Sequence, residues 1–396
     1  MQSVISASSV VLENSTLEPG HVIINDGLIS QVSNGLYQGP IQNHQHFDGY
    51  TLCPGFIDLH VHGGLNCDFM DGTPEAFHTV CKAHLKHGTT SLLATSTAAT
   101  MPSILKFLET CRASKKANWT DAAQVLGAHF YGPYFFPEAR GCHPSEPIVA
   151  PTPEHFNSFL DFADTIITAS VAPELPGAEA FVKACLEKNI RCNAGHSHAT
   201  FSQVETAVHW GVRHVDHLFC AMSDRAKLRL TQTYPMRGGL FEATLFFNEL
   251  TTEIIADGKH LADDLLRLAF KIKGPDSLAL VTDANRALDM PDGPYIFGNK
   301  DEGCTILKRD GVGLMPDGKA LASSVAGMDH CVRTMHHATN APLPEIIRMA
   351  SLTPAKIAGF DKTLGSITPG KIANLLLLDQ YLHVSKIFLK GFPVSI

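Results

Sequence analysis

Two histidines spaced two residues apart give the clearest chemical signal in the sequence. His60 and His62 lie in the run Pro54–Gly64, where a short apolar stretch is followed by two glycines. Residues i and i+2 of a strand project from the same face, so both imidazoles are expected at the carboxyl end of one strand. Paired imidazoles in such a place suit a divalent metal ion. The pair alone is weak evidence for a metal site, and it becomes stronger only if further possible ligands occur elsewhere in the chain.

Three companions recur at the ends of later predicted strands. They are His196, His217 and Asp283. Imidazole nitrogens together with one carboxylate favour a borderline divalent ion such as Zn²⁺, Fe²⁺ or Mn²⁺. Such an ion lowers the pKa of its water to about 7, and the carboxylate of Asp283 can take the proton and return it to a leaving group. The set therefore predicts hydrolysis of an amide-like or amidine-like bond.

Eight apolar strand candidates alternate with helical patterns through the middle of the chain. The predicted strands are Phe56–His62, Thr89–Thr95, Gln124–Tyr131, Thr165–Val171, Ile190–His196, His214–Phe219, Thr252–Ala256 and Leu278–Thr282. This order predicts an α/β protein with a TIM (β/α)8 barrel, whose active site is built at the carboxyl ends of the strands. A doubly wound sheet is the alternative, but no Gly-x-Gly-x-x-Gly follows the first strand.

Both ends of the chain carry short strands broken by turns. A turn at Asn25-Asp26-Gly27 interrupts period-two patterns near the start, and a turn-rich segment introduces Leu375–Leu378 and Val384–Leu389 near the end. Such alternation with Asn, Asp and Gly at the breaks is typical of hairpins. We therefore expect residues 1–52 and 361–396 to form a small β-sandwich domain built from both termini, and residues 53–360 to form the barrel.

Composition and charge exclude several classes of protein. The chain has 396 residues, of which 44% are hydrophobic and 18% charged, close to the average for globular proteins. A formal net charge of −8 argues against nucleic acid as a partner. No apolar run reaches the roughly 20 residues that span a membrane, and the first residues do not resemble a secretory signal. The ten cysteines include no Cys-x-x-Cys pair, so we expect reduced thiols and a cytoplasmic location.

Several segments resemble the N-acetylglucosamine-6-phosphate deacetylase family of the amidohydrolase superfamily. The matching segments are Pro54–Gly64, Gly195–Ser197, Asp216–Leu218 with Ala221 and Met222, Ile255–His260, Val281–Ala284 and Gly370–Leu375. The resemblance runs over nearly the full chain and implies a barrel with a β-sandwich from both termini, usually in a homodimer. It also implies a metal-dependent enzyme that removes the acetyl group from an N-acetylated amino sugar phosphate.

The resemblance implies roles for individual residues. His196 and His217 correspond to the pair that holds the catalytic metal, and His60 and His62 to further ligands in members with a second metal. Asp283 matches the general acid/base. The residues implied at the substrate are His260, as the donor that polarises the acetyl carbonyl, and Cys142, His143, Cys220, Ala221, Arg237, Leu321, Ala322 and Ser323.

One departure from the family pattern concerns the metal. Tyr131 stands where the family has a metal-ligating Glu, and a phenol with a pKa near about 10 is a poor ligand at pH 7. We therefore predict one ion rather than two, with zinc favoured over iron or manganese. The residues predicted to hold it are His60, His62, His196 and Asp283, with His217 left to orient the water.

A second departure concerns the substrate. Cys220 stands where the family has an Asn that reads the sugar phosphate, although the loop that follows still carries cations such as Arg229 and Arg237. Two other functions therefore stay open: a deaminase-like or cyclic-amide amidohydrolase with a single metal, and a non-catalytic relative that keeps the barrel as a scaffold. The retained histidines and Asp283 argue against the scaffold.

Overall fold

The computed structural model describes residues 2–231 and 234–394. Its strands are β1 (Gln2–Val11), β2 (Thr16–Leu17), β3 (Gly20–Asn25), β4 (Leu28–Asn34), β5 (His44–Pro54), β6 (Phe56–Val61), β7 (Gly63–Gly64), β8 (Cys67–Asp68), β9 (Thr89–Thr95), β10 (Gln124–Phe130), β11 (Ile166–Val171), β12 (Arg191–Ala194), β13 (His214–Val215), β14 (Thr251–Ile255), β15 (Leu278–Val281), β16 (Gly293–Phe297), β17 (Cys304–Arg309), β18 (Val312–Leu314), β19 (Leu375–Leu378), β20 (Val384–Leu389) and β21 (Phe392–Val394). Its α-helices are α1 (Pro74–Lys86), α2 (Met101–Ser114), α3 (Pro153–Leu160), α4 (Ala178–Glu187), α5 (Phe201–Trp210), α6 (Arg225–Arg229), α7 (Leu240–Phe246), α8 (Asp263–Lys273), α9 (Met328–Thr339), α10 (Leu343–Ala350) and α11 (Leu352–Ala358).

Eight parallel strands form the central barrel. Their spatial order is β6, β9, β10, β11, β12, β13, β14 and β15, which is also their order in the chain. The first and last strands meet where the amide of Asp283 donates to the carbonyl of His60 (2.9 Å) and the amide of His62 donates to the carbonyl of Ala284 (3.0 Å). The predicted TIM barrel is therefore confirmed, with the eight strands in the expected order. Several strands end earlier than predicted, among them β6 at Val61, β12 at Ala194 and β13 at Val215, so that His62, His196 and His217 follow their strands.

The helices cover the barrel because each has one apolar face. On α1 the buried side includes Phe77 and Val80, and the hydroxyl of Thr73 caps its first turn by accepting from the amide of Ala76. In α5 the side chains of Thr200 and Gln203 form a capping box. None of the helices in the described ranges is both long and apolar enough to cross a membrane.

A second sheet is assembled from both ends of the chain. Its strands run in the order β21, β20, β19, β5, β1, β3 and β4, with β2 paired to β1. The strand β5 joins the two ends, because it pairs in parallel with β1 and antiparallel with β19. Ile5, Val22, Leu52, Leu375 and Phe388 are among the buried residues of its apolar core. The expectation of a β domain made from both termini is confirmed.

A three-stranded antiparallel insertion follows the last barrel strand. It consists of β16, β17 and β18, and its buried residues Phe297 and Ile306 form a small apolar cluster with Cys142 and Ala322. The sequence analysis did not predict this insertion. It brings Phe297 to the carboxyl ends of the barrel strands, where the predicted chemical groups lie.

Candidate active site

A cavity of about 260 Å³ opens at the carboxyl ends of the barrel strands. The predicted site residues that line it are His62, Cys142, His143, His196, His217, Cys220, Ala221, His260, Asp283, Leu321 and Ser323. A larger cleft of about 510 Å³ lies elsewhere, against Trp119 and Phe392, and none of the described residues that line it is a histidine or a cysteine. The chemistry of the lining residues therefore assigns the site to the smaller cavity.

Three of the predicted ligands converge closely. The ligand atoms of His60, His62 and Asp283 all lie within 4.8 Å of one another, and all three residues are buried. Asp283 Oδ1 is 3.3 Å from Nε2 of His62 and 3.7 Å from Nε2 of His60. Two ligands that each lie about 2.1 Å from one zinc ion can be at most roughly 4.2 Å apart, so these distances fit a shared ion.

An unpartnered nitrogen supports the same conclusion. Nε2 of His60 is buried and has no hydrogen-bond partner among the residues that the structure describes. A buried polar atom without a partner is costly, and a metal ion would remove that cost. Burial alone would raise the pKa of Asp283, but the neighbouring His62 and His60 outweigh it and hold that pKa well below its ordinary value. The carboxylate is therefore ionised at neutral pH, as a metal ligand or proton acceptor must be.

The backbone turns sharply to present these groups. Asp283 and His196 have left-handed φ angles of 47°, and Ser323 has one of 64°. Non-glycine residues adopt this region at a cost, and it is enriched at functional sites. The hydroxyl of Ser323 donates to the main-chain carbonyl of Asp283 and lies 3.1 Å from its Oδ1, which holds the carboxylate in place.

Tyr131 occupies the centre of the imidazole cluster. Its ring centroid lies 4.4 Å from that of His60 and 5.2 Å from that of His196, and its hydroxyl is 2.5 Å from Nε2 of His217. Burial raises the pKa of this phenol well above its ordinary value, so the hydroxyl stays protonated and is able to donate. Whichever partner donates, the hydrogen bond with Tyr131 engages Nε2 of His217.

His196 is oriented by a different contact. Its Nδ1 is 2.7 Å from the carbonyl of Ala139 and therefore donates to it, which leaves the lone pair on Nε2. Its ring stacks on Phe135 with centroids 4.2 Å apart. His196 and His217 are not part of the close group formed by His60, His62 and Asp283 within the described residues. Their roles as ligands stay predictions.

His260 is built to donate into the cavity. Its Nδ1 is 2.8 Å from Asp257 Oδ2, and Oδ1 of the same carboxylate accepts from the backbone amides of Lys259 and His260. Burial alone would lower the pKa of His260, but the pair with Asp257 raises it. The arrangement suits a donor to a developing negative charge on a carbonyl oxygen.

Two predicted substrate residues do not line the cavity. Ala322 is fully buried in the small cluster with Phe297, next to the lining residues Leu321 and Ser323. Arg237 is exposed on the loop that precedes α7 and does not reach the cavity within this chain. Their predicted contacts with substrate remain untested.

Sequence reasoning missed one buried acid next to the ligands. Glu253 lies in the middle of β14, is 1% exposed and contacts Nδ1 of His60. The available signal was a glutamate inside the otherwise apolar predicted strand Thr252–Ala256, because buried acids are rare unless they are paired. Phe297 was also missed, since the insertion that carries it was not predicted.

Comparisons with known proteins agree with this site. The sequence profile of the amidohydrolase family matches residues 51–394. The chain belongs to this family. It is 31% identical to the N-acetylgalactosamine-6-phosphate deacetylase of Escherichia coli O157:H7 over 392 residues, which covers 99% of each chain. It is also 31% identical to the N-acetylglucosamine-6-phosphate deacetylase of Bacillus subtilis (strain 168), covering 97% of this chain and 94% of that relative.

A solved structure extends the likeness to the whole fold. The N-acetylglucosamine-6-phosphate deacetylase of Pasteurella multocida superposes with a TM-score of 0.91 at 29% identity, covering 100% of both chains. The resemblance inferred from the motifs is therefore confirmed, as is the prediction of an amidohydrolase. The members of this family use a divalent metal, and the group of His60, His62 and Asp283 offers a place for one.

Proposed function

We propose that this member of the amidohydrolase family is a metal-dependent deacetylase that releases acetate from an N-acetylated hexosamine 6-phosphate. The observation that carries the proposal is the convergence of His60, His62 and Asp283 at a cavity at the carboxyl ends of the barrel strands, which His62 and Asp283 line and behind which His60 is buried. Full-length relatives named as deacetylases of two epimeric sugar phosphates support the substrate class. Which epimer this protein prefers is decided by the assay below.

We propose that one ion binds, and that it is zinc rather than iron or manganese. His60, His62 and Asp283 would hold it, and His196 is the proposed fourth ligand because its Nε2 lone pair is free of the bond to Ala139. A bound divalent ion supplies an activated water molecule and a Lewis acid for the amide. The hydrogen bond between Tyr131 and His217 supports a single ion, since it engages a nitrogen that a second ion would need.

The chain's own residues handle the protons and the charge. The ionised carboxylate of Asp283 accepts the proton of the attacking water and delivers it to the amide nitrogen as the C–N bond breaks. His260, fixed by Asp257, donates to the carbonyl oxygen as negative charge develops there. Ser323 keeps the carboxylate of Asp283 aimed into the cavity.

The sugar is proposed to lie against Cys142, His143, Cys220, Ala221 and Leu321, which line the remaining wall. Arg237 lies outside the cavity of its own chain, so we propose that it reads the phosphate across a homodimer interface. The surface of the same loop supports an interface. Leu230, Tyr234 and Met236 are 84%, 83% and 59% exposed, and a group of exposed large apolar side chains is typical of an interaction surface.

We also propose a cytoplasmic location. All ten cysteines lie within the described residues and are free. Several, including Cys81 and Cys331, are fully buried, and burial raises the pKa of both thiols well above the ordinary value. Reduced, unreactive thiols fit a reducing compartment.

The decisive experiment is an acetate-release assay on the zinc-loaded protein. The substrates are N-acetylglucosamine-6-phosphate, N-acetylgalactosamine-6-phosphate and unphosphorylated N-acetylglucosamine, with elemental analysis of the same preparation. We expect acetate from at least one phosphorylated sugar, much less from the free sugar, and about one ion per chain. No acetate from any sugar by a zinc-loaded, folded protein would refute the proposal.

A second candidate is a deaminase-like reaction at a single ion. Tyr131 favours it, because a tyrosine stands where the deacetylase pattern has a metal-ligating glutamate. Its hydroxyl also hydrogen-bonds to His217. Ammonia release from amino-substituted cyclic substrates, without acetate release from the sugars, would select this alternative.

A further inference from the structure

A buried carboxylate contacts the predicted ligand His60 at the ring nitrogen that does not face Asp283. Glu253 Oε1 contacts Nδ1 of His60, while Nε2 of the same ring lies 3.7 Å from Asp283 Oδ1. Both His60 and Glu253 are at most 1% exposed. The two residues lie on the first and the seventh strands of the barrel, β6 and β14.

Glu253 is itself held from several sides. Its Oε1 also accepts from the backbone amide of His217 at 3.2 Å, and its Oε2 is 3.4 Å from Nε2 of His214. His214 is fixed in turn by the hydroxyl of Thr251, 2.8 Å from its Nδ1. Each oxygen of the carboxylate therefore has a partner, and the side chain has little freedom to leave His60.

This geometry decides where the proton of His60 lies. An ionised carboxylate can only accept a hydrogen bond, so Nδ1 of His60 must carry a proton to make this contact. In the neutral ring the lone pair then lies on Nε2, which is buried and unpartnered among the described residues. That nitrogen belongs to the close group with His62 and Asp283.

We infer that Glu253 is a positioning residue that fixes the tautomer and the ring orientation of His60, so that Nε2 is presented to the ion. The inference rests on the proposed metal-dependent function. Partners that bind the outer nitrogen of a metal-ligating histidine raise its basicity and fix its tautomer, and their loss weakens metal binding by about 10- to 100-fold.

A separate ion site around Glu253 was the competing interpretation. The ligand atoms of His214, Asp216 and Glu253 also lie within 4.8 Å of one another. However, Oδ1 of Asp216 accepts from Asn193, and its Oδ2, which has no hydrogen-bond partner among the described residues, lies so close to the backbone at Gly195 that a Cβ there would be 2.1 Å away. Both oxygens of Glu253 are also engaged. We therefore interpret His214, Asp216 and Glu253 as a hydrogen-bonded group that orients His60 and not as a second ion site.

The test measures metal affinity and the tautomer separately. Co²⁺ affinity is measured by competition with a chelator for the wild type, Glu253→Gln and Glu253→Leu, without any substrate. We expect affinity to fall by about 10-fold in E253Q, which loses the charge but keeps one acceptor oxygen, and by up to about 100-fold in E253L, which keeps neither. Nitrogen NMR of the metal-free wild type, recorded at a pH alkaline enough for the His60 ring to be neutral, should show His60 protonated at Nδ1 and not at Nε2, and E253L should show the other tautomer gaining population.

The matched control is another histidine–carboxylate pair far from the cavity. Asp121 Oδ1 is 2.9 Å from Nε2 of His78, neither residue lines the cavity, and Asp121→Asn should leave Co²⁺ affinity unchanged. Folded E253Q with wild-type affinity, or a metal-free wild type without a proton on Nδ1 of His60, would overturn the inference. If the wild type binds no Co²⁺, the proposed function fails, whereas the NMR result on metal-free protein still decides the tautomer. Should E253L not fold, E253Q and the wild-type spectrum are sufficient.

Discussion

At the scale of single residues, the site depends on a few side chains held in costly positions. Asp283 is buried, has a left-handed backbone and shares its Oδ1 between two imidazoles and a hydroxyl. A buried carboxylate and a left-handed backbone at a non-glycine residue are each unfavourable. They persist because the surrounding contacts of Asp283 offset their cost. Substitutions at this position should therefore affect function more than a typical buried residue would.

Asp283→Asn is expected to abolish most of the activity. Asparagine keeps the size of the side chain but cannot accept the proton, and general acid–base catalysis of this kind contributes about 10²- to 10⁴-fold. We expect kcat for acetate release to fall by that range, with metal content measured on the same samples. The matched control is Asp310→Asn, whose side chain is 80% exposed and which should keep full activity. Full activity in D283N would rule out the proposed role of this carboxylate.

Replacing Tyr131 should change the number of bound ions. Tyr131→Glu removes the hydroxyl that hydrogen-bonds to His217 and supplies a carboxylate beside His196 and His217. We expect elemental analysis of zinc-loaded protein to rise from about one ion per chain to about two, because carboxylate and imidazole together suit zinc. Tyr131→Phe removes only the hydroxyl and should stay near one ion. Equal ion content in all three proteins would show that Tyr131 does not control the number of ions.

At the scale of elements, the candidate catalytic residues lie just after the barrel strands, and contacts with neighbouring helices hold these loops in place. The loop after β15 carries both Asp283 and Asp289, and Asp289 is tied to α1 through Lys86 and His87. His87 also binds Asp329 at the start of α9. This network fixes the loop of the proposed catalytic acid against two helices.

The network should make stability depend on pH. Burial alone would lower the pKa of His87, but hydrogen bonds to Asp289 and Asp329 outweigh it and raise the pKa from 6.5 to about 9. A raised folded-state pKa means that the stabilisation is complete below about pH 6.5 and is lost as pH rises through about 9. Relative to His87→Gln, we expect the wild type to be more stable by about 1–3 kcal/mol near pH 6 and by little at pH 9.5.

Urea unfolding at pH 6, 7.5 and 9.5 measures this difference in the free energy of unfolding. His337→Gln, an exposed histidine on α9, is the control and should differ from the wild type by a small, constant amount. A difference between the wild type and H87Q that does not shrink with rising pH would contradict the assignment.

At the scale of the whole molecule, one chain brings together candidate ligands for an ion, but no Lys or Arg among the described residues lines the cavity to meet the proposed phosphate. The cavity contains histidines, cysteines and Asp283, while Arg237 lies outside it on an exposed loop. The same loop exposes Leu230, Tyr234 and Met236. A second copy of the chain that packs on this loop would bury those side chains. Arg237 of each copy would then lie near the active-site cavity of the other copy.

Tyr234→Asp is expected to weaken the proposed homodimer. A charge placed in an apolar interface is left desolvated and unpaired, which costs several kcal/mol. Sedimentation analysis over a range of concentrations should show dimers for the wild type and mainly monomers for the variant. Tyr381→Asp is the matched control, because Tyr381 is 65% exposed in the turn between β19 and β20. A wild type that sediments as a monomer throughout would refute the interface.

The sequence alone determined the barrel, the terminal β domain and most of the lining of the cavity. His60, His62 and Asp283 were identified because their signals are local: alternation along a strand, the position of a strand end, and the known location of sites in such barrels. The family relationship was also evident from short motifs. All of these features can be predicted from local patterns, without knowing which residues distant in the sequence are in contact.

Only the tertiary structure decided how the groups share their hydrogen bonds. Tyr131 and His217 are 86 positions apart, and His60 and Glu253 are 193 apart. Such pairs meet only when the ring of strands closes, and no periodicity along the chain encodes which side chain then accepts from which. The same closure placed His60, His62 and Asp283 in one group and left His196 and His217 beside it. Distances between strands, rather than residue types, therefore set the final ligand geometry.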